Sequence, residues 1–241
     1  MTWSLIARDA DGAFGVAVAS RFFAVGALCP HAASGVGALS TQALVNPLYA
    51  PAALEAMARD VDPAAIVRAL TGADPGREHR QLHLIDRTDR IAAHTGAACI
   101  EWCGHRAGRG YSVAGNMLAG PQVLKDTAAA FKANGTQPFA LRLIMAMEAG
   151  EAAGGDKRGK QAAALIVCTT ETYPALDLRV DDHPEPIVEL RRLYEKSLDR
   201  FQPFVACLAR RDDPAGTTDR AVIEAAVERF QATRSRRPGT V

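Results

Sequence analysis

The sequence is short of the features that mark several large classes of protein. Aromatic residues make up only 6% of the 241 residues, and 28 Lys and Arg balance 27 Asp and Glu to a net charge of +1. Such a balance is atypical of nucleic-acid-binding proteins, which carry a clustered basic surface. The hydrophobic fraction of 48% is too high for an intrinsically disordered chain. We therefore expect a folded globular protein with no nucleic-acid partner.

Long apolar runs and a cysteine framework are also missing. No stretch approaches the roughly 18 consecutive apolar residues of a transmembrane helix, and residues 1–9 lack the basic and apolar segments of a secretory signal. The cysteines are odd in number and show no disulfide spacing; they are Cys29, Cys99, Cys103, Cys168 and Cys207. These absences predict a cytoplasmic protein with reduced thiols and no membrane partner.

Several common catalytic and cofactor motifs do not occur. The sequence has no G-x-S-x-G nucleophile elbow, no P-loop, no G-x-G-x-x-G after a strand and no H-E-x-x-H. Each of these motifs supplies a particular phosphate cradle, nucleophile or metal ligand pair. Their absence leads us to expect neither a cofactor nor a metal.

Apolar periodicity divides the chain into blocks of strands and blocks of helices. The predicted strands are residues 2–8, 14–20, 26–32, 36–41, 81–86, 91–95, 99–107, 111–115, 161–168 and 176–180. The predicted helices are residues 51–60, 63–71, 121–132, 138–148, 186–208 and 220–231. Asp62 and Pro63 are a typical N-cap and first-turn residue for the second of these helices.

Blocked strands and helices predict an α+β fold rather than a parallel βαβ sheet. Residues 15–19 are apolar at every position, which is typical of a strand covered on both faces, and their small side chains would let another sheet approach closely. Two mostly antiparallel sheets packed face to face, with helices outside each, satisfy this pattern. We expect one domain over residues 1–203, and a helical extension over residues 204–241 that ends in a frayed basic tail.

The second residue, Thr2, is the most informative candidate for chemistry. Methionine is normally removed before a small residue, so we expect the mature chain to begin with threonine on a strand. A free N-terminal threonine combines a hydroxyl nucleophile with its own α-amine, whose ordinary pKa of about 7.7–8.0 suits a general base. Many chains begin Met-Thr for no catalytic reason, and this alternative stays open.

Five motifs in order give the chain a family resemblance. They are ASRFFAVG (19–26), TQA (41–43), GNMLAG (115–120), GGDKRG (154–159) and DLRVDDHP (177–184). Together with the opening strand, they resemble an uncharacterised, mainly bacterial family similar to the N-terminal nucleophile (Ntn) hydrolases. The resemblance covers about residues 2–200, and it implies a four-layer αββα sandwich.

The resemblance also implies roles near Thr2. Ntn hydrolases place a donor beside the nucleophile to stabilise the tetrahedral oxyanion, and Asn116, between a predicted strand and helix, matches that position; a turn residue is the alternative. Ser20 and Arg21 fall where many Ntn enzymes orient the terminal amine, and Arg21 would lower the pKa of that amine. An exposed or salt-bridged arginine is the alternative.

The chain departs from proteasome-type enzymes at Ala19, where those enzymes carry Asp. No counterpart of their catalytic Lys is found either. Both departures argue against a peptidase.

Four further residues are candidates for substrate binding. Asp156 and Arg158 lie in a glycine-flanked loop, where the arginine fork suits a substrate carboxylate. Gln42 and Asn46 follow a predicted strand, from which they would contact an amide or hydroxyl of the ligand. A solvated loop and ordinary loop capping are the respective alternatives.

A metal site in the middle of the chain is disfavoured. The segment contains His94, Cys99, Glu101, Cys103 and His105. Zinc sites pair a C-x₂₋₄-C unit with a second ligand pair, and no distant second pair is present. Buried structural cysteines explain the segment better.

These observations predict a hydrolase of C–N amide bonds with Thr2 as nucleophile, acting on a small amide or acylated amino compound. The alternative is a non-catalytic ligand-binding or scaffold protein with the same fold, since fold alone does not give function. The helix predicted at 186–208 would supply a homodimer or larger homo-oligomer contact, although packing on its own sheet explains its apolar residues equally well.

Overall fold

The computed structural model describes residues 2–235, in two compact units that divide between Arg191 and Arg192. The domain boundary expected after residue 203 stays a prediction. Met1 and residues 236–241, to which the expected methionine removal and most of the frayed tail belong, lie outside the described residues.

Ten strands and seven α-helices make up the described chain, which confirms the predicted α+β class. The strands are β1 (Thr2–Arg8), β2 (Phe14–Ser20), β3 (Pro30–Ala33), β4 (Gly37–Ala43), β5 (Arg80–Asp86), β6 (Ile91–Thr95), β7 (Trp102–Gly108), β8 (Tyr111–Leu118), β9 (Ala162–Cys168) and β10 (Leu176–Val180). The helices are α1 (Tyr49–Ala58), α2 (Pro63–Ala73), α3 (Gln122–Ala133), α4 (Phe139–Ala152), α5 (Pro186–Ser197), α6 (Phe201–Val205) and α7 (Arg220–Ser235).

The strands form two sheets within the first unit. Sheet A has six strands in the order β10-β9-β2-β1-β8-β7, and sheet B has four in the order β3-β4-β5-β6. Every pairing in both sheets is antiparallel. Because β1 lies between β2 and β8, the first described residue belongs to a strand that is hydrogen-bonded on both sides.

The two sheets pack face to face, and helices cover their outer faces. Ile6, Val16, Ala38 and Ile85 form one apolar cluster between the sheets. Helices α1 and α2 pack on sheet B through a second cluster that includes Leu39, Leu84 and residues of both helices. Helices α3 and α4 pack on each other and on sheet A. The predicted arrangement of two facing sheets flanked by helices is therefore present.

Strand β2 shows why its residues are small. Its even-numbered residues Val16 and Val18 face the other sheet, whereas a Cβ on Gly15 would lie 2.4 Å from Cδ1 of Leu143 and 2.9 Å from a ring carbon of Phe139 in α4. The element that approaches the glycine closely is therefore a helix and not the second sheet, contrary to the expectation.

Local sequence signals explain several element ends. The Asp62 carboxylate accepts hydrogen bonds from the N–H groups of Ala64 and Ala65, and Pro63 occupies the first turn of α2, which confirms the predicted cap. The strand predicted at 26–32 is wrong in its first half, where Val25–Ala27 forms a short 3₁₀ turn before β3.

The single long helix predicted over 186–208 is also wrong, because α5 and α6 are separate helices. Pro203 explains the break. A proline inside a continuous helix would have no N–H to donate, and its ring would clash with the carbonyl of residue 199. In the structure Pro203 lies in the first turn of α6, where neither problem arises.

Candidate functional site

Thr2 lies at the centre of the candidate site because of its place in sheet A. It pairs with Ser20 on β2 and with Asn116 on β8. Its side chain is buried, with 5% of the residue exposed, and its Oγ1 donates a hydrogen bond to Ser20 Oγ over 3.1 Å. Three of the four residues predicted to be catalytic are thus in register across three adjacent strands.

The backbone carbonyl of Thr2 is held by two side-chain amides. Gln42 Nε2 and Asn116 Nδ2 each donate to it over 3.3 Å. The same two nitrogens donate to Gln81 Oε1, over 2.7 Å from Gln42 and 3.1 Å from Asn116. Gln42, Gln81 and Asn116 therefore form a fully buried set of three carboxamides, here called the amide cluster.

Gln81 was not found by sequence reasoning, although it connects the other two amides. Its Nε2 contacts Thr95 Oγ1 at 2.9 Å, the Gly104 carbonyl at 3.0 Å and the Gly115 carbonyl at 2.9 Å. A glutamine near the start of a strand carries no local signal of burial. The register that pairs Gln42 with Gln81 is the feature that brings them together.

Asn116 differs from its predicted setting. It lies within β8 rather than after a strand, and both of its amide hydrogens have protein acceptors, the Thr2 carbonyl and Gln81 Oε1. In the resting structure it therefore positions the backbone of Thr2.

A second buried polar chain lies next to the amide cluster between the sheets. Ser4 Oγ donates to Gln42 Oε1 over 2.6 Å and lies 2.8 Å from His83 Nε2, while His83 Nδ1 lies 3.0 Å from Ser112 Oγ. All four residues are fully buried. Burial, with a smaller contribution from the nearby His105, lowers the pKa of His83 to about 3, so this imidazole is neutral at physiological pH.

The 154–159 loop is attached to the end of β2 through Asp156. The Asp156 carboxylate accepts from the N–H groups of Arg21 and Arg158, each over 2.8 Å. Its Oδ2 also lies 3.4 Å from Nη2 of Arg158, and Arg21 Nη1 donates to the Arg158 carbonyl over 2.7 Å. The predicted residues Arg21, Asp156 and Arg158 thus form one polar group beside Ser20, in which the Arg21 guanidinium contacts the loop.

The structure does not bring Asn46 to Thr2. Its Nδ2 donates to Asp74 Oδ2 over 3.1 Å, and its Oδ1 accepts from the N–H of Leu48. Tyr49 and Arg80 contact the same carboxylate oxygen of Asp74. Hydrogen bonds from Tyr49 and Gly76 hold the pKa of the Asp74 carboxyl well below its usual range. This group links the loop before α1 to the loop after α2.

A cavity of about 80 Å³ opens beside Ser20 on the helix-covered side of sheet A. Its lining comes from the ends of β1 and β2, the end of α4, the 154–159 loop and the start of α5. These residues are Trp3, Ala19, Ser20, Glu151, Gly154, Gly155, Asp156, Gly159, Lys160 and Pro186. Of the predicted site residues, Ser20 and Asp156 line it.

The segment that was considered for zinc makes ordinary hydrogen bonds. His94 Nε2 lies 2.9 Å from the Arg77 carbonyl, and His105 Nδ1 lies 3.0 Å from Thr95 Oγ1. Cys103 Sγ donates to the Cys99 carbonyl. Over residues 2–235, no group of three or more His, Cys, Asp and Glu side chains is placed to hold a metal ion.

Within the described part of the chain, no helix combines the length and the apolar character needed to cross a bilayer.

The fold of this chain is similar to that of a protein whose structure has been solved. A protein of Silicibacter pomeroyi, described as a member of the DUF1028 family, has a crystal structure that matches with a TM-score of 0.84 and 29% identity, over 90% of this chain and 96% of that one. Anbu (ancestral beta-subunit) from Yersinia bercovieri matches with a TM-score of only 0.38 and 12% identity, over 81% of this chain and 94% of that one. No curated protein shows significant sequence similarity. The model of a family of unknown function, DUF1028, matches residues 2–190, and the chain belongs to that family.

Proposed function

We propose that this member of DUF1028 is an N-terminal nucleophile amidohydrolase, in which Thr2 attacks a small amide or acylated amino compound after Met1 has been removed. One observation carries the proposal. The Thr2 hydroxyl is hydrogen-bonded to Ser20, while two side-chain amides from different strands hold the Thr2 carbonyl. Such a fixed nucleophile at the start of a central strand is what attack in a single geometry requires.

The proposed reaction uses the two ends of one residue. Thr2 Oγ1 forms a bond to the acyl carbon, and the α-amine of Thr2 accepts the hydroxyl proton and passes it to the departing amine as the C–N bond breaks. Water then attacks the ester, the same amine takes the proton of that water, and the carboxylic acid leaves as Thr2 Oγ1 is reprotonated. An α-amine with an ordinary pKa of about 7.7–8.0 is suited to both transfers near neutral pH.

Stabilisation of the oxyanion is assigned to Asn116, with a condition set by its contacts. Both of its amide hydrogens are already donated, so it would serve a tetrahedral intermediate only after giving up the bond to the Thr2 carbonyl or to Gln81. One such donor typically contributes about 3–4 kcal/mol to acyl transfer. Ser20, as acceptor for the Thr2 hydroxyl, would orient Oγ1 before attack.

Gln42 and Arg158 have different roles in the proposed reaction. Gln42 is fully buried and engaged with Thr2, so it acts through the nucleophile rather than on the ligand. Arg158 lies at the exposed edge of the group around Asp156, where its guanidinium would meet a substrate carboxylate.

The test is covalent labelling of Thr2 with a β-lactone or an activated ester, followed by intact mass measurement and peptide mapping. We expect a chain without Met1 that carries one acyl group on Thr2. Thr2→Ser should keep the adduct, Thr2→Ala should lose it, and Thr136→Ala, at an exposed loop threonine, should label like the wild type.

Retention of Met1, or an unreactive Thr2 in a chain that lacks Met1, would contradict the proposal. The ligand-binding alternative would then be preferred, and the next measurement would be a search for a small molecule that copurifies with the protein.

A further inference from the structure

The cavity beside Ser20 holds polar groups that the proposed reaction does not use. Thr2 and Ser4 point from β1 toward sheet B, because Ser4 contacts Gln42 and His83 there. Trp3 points to the opposite face, since side chains alternate along a strand, and it lines the cavity. The cavity and the Thr2 hydroxyl are therefore on opposite faces of the same strand.

Two buried polar atoms on residues that line this cavity have no hydrogen-bond partner among the described residues. They are Nε1 of Trp3 and Oε1 of Glu151. Trp3 is 2% exposed and the Glu151 side chain 16%. A buried carboxylate oxygen without a partner loses its hydration without compensation. Because both residues line the cavity, a donor that enters it from outside the chain is one way to satisfy the Glu151 carboxylate.

The charges around Glu151 favour a cationic donor. Lys160 Nζ lies 3.1 Å from Glu151 Oε2 and 2.5 Å from Glu185 Oε2, so one ammonium is shared by two carboxylates. These three groups together carry one net negative charge. The nearby Glu148 is paired with Arg191, and the Asp156 carboxylate accepts from two backbone N–H groups and Arg158. The uncompensated negative charge thus lies with the carboxylates that share Lys160.

The surroundings of Glu151 disfavour its ionised form. Burial raises the pKa of its carboxyl, and Glu185 and Glu148 raise it further, while Lys160 lowers it. A bound cation would stabilise the ionised carboxylate and offset part of that burial cost.

The rest of the wall is compact and partly aromatic. A Cβ on Gly155 would lie 3.3 Å from Cη2 of Trp3, so the indole is close to glycine backbone. Gly154, Gly155 and Gly159 all have positive φ, which keeps bulkier residues out of the loop. An aromatic ring and a carboxylate around a small space are the usual elements of ammonium recognition.

We propose that this cavity binds a small primary ammonium group, with Glu151 Oε1 as its hydrogen-bond acceptor and Trp3 as its aromatic wall. The proposal does not depend on the reactivity of Thr2. It assigns to the chain a second site, whose ligand is a short alkylamine or the amino end of a larger metabolite.

The experiment is a titration of the full chain with methylammonium chloride, followed by NMR of the Trp3 indole N–H and the amides of Gly154 and Gly155. Tetramethylammonium chloride, which has the charge but no N–H donor, and sodium chloride are the ligand controls. We expect saturable shifts at these three groups with methylammonium alone. Absence of saturable shifts, or equal shifts with either control salt, would overturn the proposal.

Two variants locate the binding. Glu151→Gln removes the charge with little change in shape, and it should weaken binding at least about tenfold, as expected for the loss of a charge-assisted hydrogen bond. Glu148→Gln makes the same change one turn earlier in α4, outside the cavity lining, and should leave the affinity within about twofold. Equal affinities of Glu151→Gln and the wild type would contradict the assignment.

A third variant keeps the experiment decisive if Glu151→Gln does not fold. Ala19→Val leaves every charge in place and fills the cavity, so it should abolish the methylammonium shifts. Binding that survives this substitution at wild-type affinity would place the ligand elsewhere.

Discussion

Gln81 makes hydrogen bonds to residues of both sheets. Its carbonyl oxygen accepts from Gln42 and Asn116, and its nitrogen contacts Thr95 and the Gly104 and Gly115 carbonyls. Because Gln42, Gln81 and Asn116 are fully buried, water cannot compensate the loss of the hydrogen bonds among them.

We predict that Gln81→Leu lowers the free energy of unfolding by about 3 kcal/mol or more, because several buried donors and acceptors lose their partner at once. Urea denaturation measures this value. Gln122→Leu, which removes an exposed contact to Asp126 on α3, is the matched control and should change stability by less than about 0.5 kcal/mol. A loss of under about 1 kcal/mol for Gln81→Leu would contradict the importance of the amide cluster.

His83 gives the molecule a definite dependence on pH. The folded protein keeps the imidazole neutral down to a pKa of about 3, whereas the unfolded chain binds a proton below about 6.5. The contribution of His83 to stability is therefore fully present above pH 6.5 and is lost as the pH falls from 6.5 toward 3.

We expect the wild type to lose about 1.4 kcal/mol per pH unit relative to His83→Gln in this window, since that variant has no proton to gain. Urea denaturation at pH 7, 6 and 5 checks the difference, which should be close to constant above pH 7. His79→Gln, at an exposed histidine, should run parallel to the wild type. Parallel slopes for the wild type and His83→Gln would show that folding does not lower the pKa of His83.

At the scale of single residues, motifs in the sequence predict that Thr2, Ser20 and Asn116 lie close together, and antiparallel pairing places them so. Whether they form a catalytic site stays a prediction. Asn46 has the same polar character as Gln42, but β4 ends at Ala43, and the loop that follows directs Asn46 to Asp74. Gln81 and Glu151 could not be found, because burial of a polar side chain depends on contacts between distant strands and helices.

The contact between β2 and α4 is the closest approach of a helix to sheet A at a glycine. A Cβ on Gly15 would come within 2.4 Å of the Leu143 side chain. The cavity depends on this contact indirectly, since its lining includes Ser20 from β2 and Glu151 from α4.

We predict that Gly15→Ala destabilises the protein by about 1–3 kcal/mol through overpacking. In a double-mutant cycle with Leu143→Ala, which removes the closest clashing atom, the combined loss should be smaller than the sum of the single losses by about 1 kcal/mol or more. Strict additivity would show that the strain has another origin.

Gly72→Ala tests a helix glycine at which an added methyl group meets no other atom. Gly72 lies near the end of α2, has no atom within 4 Å of an added Cβ, and does not have positive φ. Alanine should therefore raise the free energy of unfolding by about 0.5–1 kcal/mol through helix propensity alone. Thermal denaturation of Gly15→Ala and Gly72→Ala side by side should give shifts of opposite sign.

At the scale of elements, the order of strands and helices was predicted well, because period-2 and period-3.6 patterns are local. The errors in the predicted elements occur where one local pattern is compatible with two kinds of secondary structure. Residues 25–27 are apolar enough for a strand but form a 3₁₀ turn. The apolar spacing of α5 continues into residues 201–205, but Pro203 prevents one continuous helix there.

All five cysteines of the molecule are free thiols. The rate at which each thiol reacts therefore shows how often its surroundings become exposed to solvent. Burial raises the pKa of Cys29 to about 12 and that of Cys168 to about 11, while Cys207 is only half-buried. Cys29 packs against Val18 and Ala164 in the interior of the first unit.

We therefore predict that iodoacetamide at pH 8 labels Cys207 first and Cys29 and Cys168 last, with rates that differ by at least about 100-fold. Mass spectrometry of tryptic peptides gives the order, and labelling in urea provides the control, in which all five should react alike. Early labelling of Cys29 would indicate that the first unit opens far more often than its packing implies.

For the molecule as a whole, the facing sheets and flanking helices could be predicted from the blocked order of elements. The division between Arg191 and Arg192 could not, because no linker composition marks it in the sequence.

The amide cluster also bears on the order of events during synthesis. The Thr2 carbonyl is held by Gln42 and Asn116, 40 and 114 residues further along the chain. Residue 2 is synthesised before β4 and β8, and its carbonyl cannot be fixed until β8 has been made, because contacts so distant in sequence form only after the intervening segments have closed. The removal of Met1 that the proposed function requires therefore has its opportunity while residue 2 is still unburied, and the proposed nucleophile is held in place only in chains whose two sheets have already joined.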